Sequence, residues 1–258
     1  MAAVDFLVAV DSFPKPDDKI RSTSFQVQGG GNAGNALTCA ARLGLSPRII
    51  SKVGDDSQGK AILEEFEADG VDTSFMVVSK GGHSTFSYVV VDSQTAFTSK
   101  HDVERSSFVE SVVNGSAVIC LIFGFWISNS IFYITYTSLK RVSVSTILSE
   151  DENCLCKNQK KLKTRTCIYT PGYPPMIPED LSKSNLSSAL DDVRLVYFDG
   201  VLQEAELLSA LVVAREAHQR NIPIVVDAES KRERVDDLLN LATYVVCSAR
   251  FPQASLFH

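Results

Sequence analysis

The chain has 258 residues, enough for one large domain or two small ones, and its 45% hydrophobic and 22% charged content is that of an ordinary soluble globular protein. A net charge of -6 and a pI near 5.3 provide no basic excess for neutralising a phosphate backbone, which excludes nucleic acid as the main partner. Six cysteines, Cys39, Cys120, Cys154, Cys156, Cys167 and Cys247, follow an N-terminus that carries Asp5 where a secretory leader would be basic, so they read as reduced thiols of an intracellular protein. Cys154-Leu155-Cys156 is too closely spaced for a zinc pair and has no second pair; His83, His101, His218 and His258 are scattered, so no metal site is expected.

In chain order, Val4–Val10 reads as a short apolar strand, and Lys19–Gln28 as an alternating strand with one mixed face. Asn32–Leu43 is rich in Ala and Leu and reads as a helix closed by Gly44. Arg48–Val53 is the next strand and Asp56–Asp69 a second helix closed by Gly70, with Asp55 and Asp56 as cap residues. Phe75–Val78 and Thr85–Val91 are β-branched and aromatic strands. After an interruption, Thr164–Thr170 is a strand, and Pro171, Pro174, Pro175 and Pro178 mark a loop. Arg194–Phe198, Ile222–Asp227 and Tyr244–Cys247 read as strands, Gln203–Gln219 and Arg234–Leu241 as helices. Apolar strands alternating with amphipathic helices predict a parallel sheet covered on both faces.

The interruption is of another composition. No charged residue occurs from Ser111 to Leu139, and Ala117–Tyr136 has the length and apolarity of a membrane span flanked by Lys140 and Arg141. A Ser- and Lys-rich stretch follows, and a structureless loop of such length is foreign to a compact domain.

Gly29-Gly30-Gly31-Asn32-Ala33-Gly34-Asn35-Ala36 carries the most chemical information. Glycines bare the backbone so that a ligand can approach, and the helix behind them points free N–H groups at it. An Asn at a helix start can donate to and accept from a hydroxyl. The alternative reading is a flexible turn with Asn32 as an N-cap.

In order and spacing, Val4-Asp5-Phe6-Leu7, Asp11-Ser12-Phe13-Pro14-Lys15-Pro16, Gly30-Gly31, Asn35, Ala40-Ala41-Arg42-Leu43-Gly44, Val53-Gly54-Asp55-Asp56, Gly59 and Asp69-Gly70-Val71-Asp72-Thr73 resemble the N-terminal half of the ribokinase-like, or pfkB-type, carbohydrate kinases, most of all the plant members. The resemblance covers about residues 4–95 and 164–254. It implies an α/β, three-layer sandwich with a mostly parallel sheet and a small β lid formed by Lys19–Gln28, Thr85–Val91 and Thr164–Thr170. It implies ATP-dependent phosphorylation of a sugar or nucleoside hydroxyl with Mg2+, a cytoplasmic setting (plastidic if a longer N-terminus exists), and a homodimer through the lid. Carried over by position, Asp5 would bind sugar hydroxyls from the end of the first strand, Gly30 and Gly31 would lie against the sugar, Asn35 would be the sugar-binding Asn, and Asp199 would reach the sugar. For Asp5 and Asp199 the alternative is a solvated strand end or a cap. Arg165, on a lid strand, could meet an anionic group, though a surface role is the plainer one.

The chain departs from the family in four ways. Family members take their catalytic base and anion hole from a Gly-Ala-Gly-Asp motif, which these 258 residues lack, so no catalytic residue is assigned and the nucleotide part is expected to be missing. Ala249-Arg250-Phe251-Pro252 stands where the family's magnesium-linked Asn-x-x-Glu should fall. Residues 96–162 lie between Val91–Thr95 and Lys163–Thr166, which look like two sides of one lid hairpin. The expected organisation is therefore 1–95, an insert at 96–162, and a continuation at 163–258. The insert's Phe, Ile, Leu, Ser and Tyr are specified by uridine-rich codons, which points to a retained intron or a gene-model error; a membrane anchor at 117–136 is the alternative. The first strand also starts late relative to the family. The functions in competition are a sugar kinase by descent that transfers no phosphate as this chain, a non-catalytic sugar-binding or dimer-partner protein, and a membrane-anchored protein.

Overall fold

The computed structural model describes residues 2–96, 131–137, 141–146, 163–200, 202–228 and 233–248. The first strands are β1 (Ala3–Val10) and β2 (Ser24–Gly30), followed by helix α1 (Asn32–Arg42), β3 (Ser51–Gly54), α2 (Ser57–Asp69), β4 (Met76–Ser79) and β5 (Phe86–Ala96). Next come β6 (Ile131–Thr137), β7 (Arg141–Thr146) and β8 (Lys163–Thr170), then α3 (Lys183–Leu190) and β9 (Val196–Asp199). The last described elements are α4 (Glu204–Gln219), β10 (Ile224–Ala228), α5 (Val235–Leu239) and β11 (Tyr244–Ser248).

Local chemistry sets the helix ends. Asp56 accepts the Gly59 amide at 2.7 Å and so caps α2, and Gly70 closes the helix in the left-handed region at φ 82, where only glycine is unstrained. Ser182 caps α3 through the Asn185 amide at 3.1 Å. Nothing was assigned between the proline-marked loop and the strand from Arg194; α3 forms there because Ser182 offers its first turn an acceptor and Leu186, Ala189 and Leu190 supply one buried face. The segment Lys19–Thr23 lies outside β2, so the strand expected from residue 19 begins at Ser24.

Four strands, in the order β2-β1-β5-β8, form the lid sheet. β1 runs antiparallel to β2 and parallel to β5, and β5 pairs antiparallel with β8 from Phe86↔Thr170 to Val91↔Arg165, with Ala96 opposite Lys163. This corrects the placing of Val4–Val10 apart from the lid. A strand in a fully covered parallel sheet is apolar on both faces, whereas β1 puts Asp5 between Gln28 and Ser87 on one face and Phe6 between Val27 and Tyr88 on the other. Such a two-faced strand suits a small sheet.

Apart from the β1–β5 pair of the lid, the parallel strands fall into two sheets among the described residues, β3–β4 and β9–β10–β11, where one sheet was expected. β6 adds antiparallel to β11, and β7 to β6. Thus the described end of the apolar stretch 117–136, from Ile131 on, is strand, while 117–130 lies outside the described residues. No helix among the described residues is long and apolar enough to cross a membrane. Cys154 and Cys156 also lie outside them.

Two cores hold the layers. Leu186 and Leu190 of α3, Leu207, Leu211 and Ala214 of α4, Ile224 and Val226 of β10 and Leu238 of α5 form the larger. Ala2, Val4, Ile49, Val53, Ile62 and Phe66 form the smaller, which anchors the start of β1 under α2. Each fully buried Leu, Ile or Phe contributes about 1.5–3 kcal/mol.

Candidate functional site

The site begins at the passage from β2 into α1. Gly31 is the N-cap of α1 at φ 81 and ψ 148, a backbone conformation that side chains do not tolerate, and it offers no capping side chain. Asn32, weighed as the cap, is instead the first helical residue. Its side-chain amide donates to Asp199 Oδ1 at 3.5 Å, the long end of the hydrogen-bond range, and ties α1 to the end of β9. Asp199 is buried and Asn32 half-buried.

Gly30 stands against Asp5. A Cβ at residue 30 would collide with the Asp5 carboxylate, so the absence of a side chain is what lets that carboxylate lie along the glycine turn. Next to it, a Cβ on Gly29 would come within 2.5–2.7 Å of the Glu65 carboxylate, whose Oε2 accepts the Gly29 amide at 2.7 Å. Neighbouring residues of a strand face opposite ways, so the two carboxylates flank the turn from opposite faces of β2.

Burial raises the Asp5 carboxyl above its ordinary value of 3.8, countered by a hydrogen bond from Ser87 and by the nearby Arg165 guanidinium. Asp5 is therefore the third residue of an eight-residue lid strand, and the expectation that it would sit at a strand end is corrected. Arg165 is exposed, yet it acts on Asp5 through charge. Both lie on one face of the lid, since Asp5 pairs with Ser87, Ala9 with Val91, and Val91 with Arg165, an even step in each strand.

Asn35 lines a cavity of about 200 Å³ together with Gly30, Gly29, Gln28, Thr38 and Glu65. Gly30 thus touches both Asp5 and the Asn35 cavity, while Asp5 is not itself among the lining residues. Asp199 joins the group through Asn32. Sequence reasoning missed the parts played by Asn32, Glu65 and Ser87. Only the polar side of Asn32-Asn35-Thr38, at helical spacing, hinted at any of them; Glu65 and Ser87 reach the turn through tertiary pairing alone.

For a metal, the described residues offer no cluster of three His, Cys, Asp or Glu side chains. The stretch Ala249–Pro252 lies outside them.

Residues 1–113 match the pfkB family of carbohydrate kinases. The ribokinase of Bacillus subtilis is 42% identical over 74 residues, which are 29% of this chain and 25% of that enzyme. Among solved structures, Arabidopsis thaliana ribokinase complexed with ribose and ATP superposes with a TM-score of 0.52 at 15% identity, over 88% of this chain and 50% of that one. A Burkholderia thailandensis nucleoside kinase in complex with inosine gives a TM-score of 0.52 at 13% identity, over 95% of this chain and 57% of that one. The chain thus spans about half the length of these structures. The match to the pfkB family covers 113 of the 258 residues, and the fold is ribokinase-like.

Proposed function

We propose that the chain binds a sugar or nucleoside through Asp5, Gly30, Gly31, Asn35 and Asp199, as a sugar kinase by descent. The observation that carries this reading is the contact of Gly30 with both the Asp5 carboxylate and the cavity lined by Asn35. A carboxylate accepts two hydrogen bonds from neighbouring hydroxyls, and the Asn35 amide both donates and accepts, so they suit a polyol that reaches across the glycine turn from the Asp5 side to the Asn35 cavity. The bare backbone of Gly30 and Gly31 lets the carbon skeleton approach, and the lid sheet above excludes water. The ribose and inosine held by the two structural relatives are both polyhydroxylated ligands of this kind.

Phosphoryl transfer asks for a base at the attacking hydroxyl, donors for the phosphates and a metal. ATP with Mg2+ would supply the phosphoryl group and neutralise its charge in the whole enzyme. These 258 residues contain no Gly-Ala-Gly-Asp motif to supply the base and anion hole, so the chain is proposed to bind without transferring phosphate. A cytoplasmic setting goes with that reading.

The experiment is a calorimetric titration with ribose, fructose and adenosine, beside an ADP-release assay. Saturable heat without turnover supports the reading; turnover overturns its second half, and absence of heat from a folded chain overturns the first.

A second reading is favoured by one observation. The lid's other face carries the row Val27, Phe6, Tyr88 and Ile168, extended by Phe25, with Phe6 stacked 5.3 Å from Tyr88 and 6.4 Å from Phe25 between ring centres. Phe25 and Ile168 are each 59% exposed. A contiguous apolar patch of this kind suits a homodimer through the lid, and light scattering of Phe25→Ser against the parent chain tests it.

A further inference from the structure

The cavity beside the glycine turn carries a charge that a neutral polyol does not require. Its walls are one face of each of the first two helices. Asn35, Thr38 and Arg42 come from α1, at i, i+3 and i+7, and Ile62, Glu65 and Phe66 from α2, at i, i+3 and i+4. Ile62 and Phe66 are buried and give the cavity an apolar floor.

Arg42 supplies no free positive charge. Its guanidinium meets the Asp69 carboxylate, with Nη2 at 3.0 Å and Nε at 3.3 Å from Oδ1, and Asp69 lies one helical turn beyond Glu65. Charge on that side of the cavity is cancelled. Glu65 is held in another way. Its Oε2 accepts the Gly29 amide at 2.7 Å, which fixes the carboxylate against β2, and no Lys or Arg forms an ion pair with it among the described residues. A backbone amide is neutral, so the bond orients the carboxylate and leaves its negative charge in place.

A carboxylate offers about four lone-pair sites, and the Gly29 amide fills one of them. The Thr38 hydroxyl and the Asn35 side-chain carbonyl line the same space, and each can accept a hydrogen bond. Three acceptors, one of them anionic, match the three N–H donors of an ammonium group. A hydroxyl in the same position would donate only once and leave the charge uncompensated.

We propose that Glu65 makes this cavity a subsite for an amino substituent, so that the preferred ligand is an amine-bearing polyol such as an amino sugar. The proposal rests on the sugar-site reading and deepens it: Glu65 is the residue that sets ligand charge, with Thr38 and Asn35 completing the shell of acceptors. Glu65 is exposed, so solvent screens the ion pair and holds the preference to about fivefold.

The test is calorimetric titration of the 258-residue chain and of Glu65→Gln with glucosamine, glucose and ribose. It is run at about pH 6, where an aliphatic ammonium is charged and a carboxylate ionised. Glutamine keeps the side-chain length and an oxygen for the Gly29 amide, so a purely structural part for Glu65 would change glucose and glucosamine alike. The parent should bind glucosamine about fivefold more tightly than glucose, and the ratio should fall to about one in Glu65→Gln and shrink in the parent at about 0.5 M salt. Should the variant fail to fold, the salt series on the parent decides. Equal affinities in the parent, or an advantage retained in Glu65→Gln, would overturn the proposal. Binding of glucose or ribose without any advantage for the amine would overturn it and leave the sugar site standing. No heat from any of the three sugars, with a folded chain, would overturn both.

Discussion

Asn32 and Asp199 are 167 positions apart and meet at 3.5 Å. That contact brings the first turn of α1 to the end of β9, where the resemblance would put two sides of one ligand. It predicts that Asp199→Ala weakens sugar binding by about tenfold, while Asp199→Asn, which keeps an acceptor, loses less. Calorimetric affinities of the two variants check this.

Gly30→Ala should abolish binding, because its Cβ collides with the Asp5 carboxylate. Gly29→Ala should be milder, since the obstacle there is the far end of the flexible Glu65 side chain. Thermal melts and ribose titrations of the pair check the contrast. Equal loss in both would point to β2 itself as the weak element.

Two carboxylates should move stability in opposite directions with pH. Burial holds Asp5 above 3.8 when folded, so the folded state takes up its proton first; the penalty is absent well below 3.8 and complete above the folded value. Asp5→Asn should therefore be more stable than the parent at about pH 7, with the gain fading toward about pH 3. Asp56 is the reverse case. Burial works to raise it, but hydrogen bonds from the Ser84 hydroxyl and amide and the Gly59 amide outweigh burial and lower it. Its stabilisation is complete above 3.8 and lost as pH falls through the lower folded value, so Asp56→Asn should be less stable at about pH 7 and approach the parent in acid. Urea denaturation across that range reads both signs.

Thiol chemistry should sort by burial. Burial, with help from the Asp227 charge, pushes the Cys247 thiol up to about 11, whereas Cys167 is exposed. Iodoacetamide at mildly alkaline pH should label Cys167 in the native chain and spare Cys247 until denaturant is added. Peptide mass spectrometry checks it.

Much of the scaffold was legible because it is written locally. Asp56, the Gly59 amide and Gly70 define α2 within fifteen residues, and the glycine run announced the start of α1. The pairing of β1 with β5 was not legible, since Asp5 and Ser87 meet only through the fold. α3 was hidden by the prolines before it and by its short, Ser-rich sequence. At the site, the resemblance pointed to Asp5, Gly30, Gly31, Asn35 and Asp199, but the parts played by Asn32, Ser87 and Glu65 depend on distances that spacing does not carry.

The account stands on a polyol pocket at the glycine turn. Its most direct measurement is the calorimetric titration of the folded 258-residue chain with ribose, repeated on Asn35→Ala. The account predicts saturable heat at one site in the parent, with affinity reduced about tenfold or more in the variant. Equal affinity in both, or no heat from a parent with a folded circular dichroism spectrum, would contradict it.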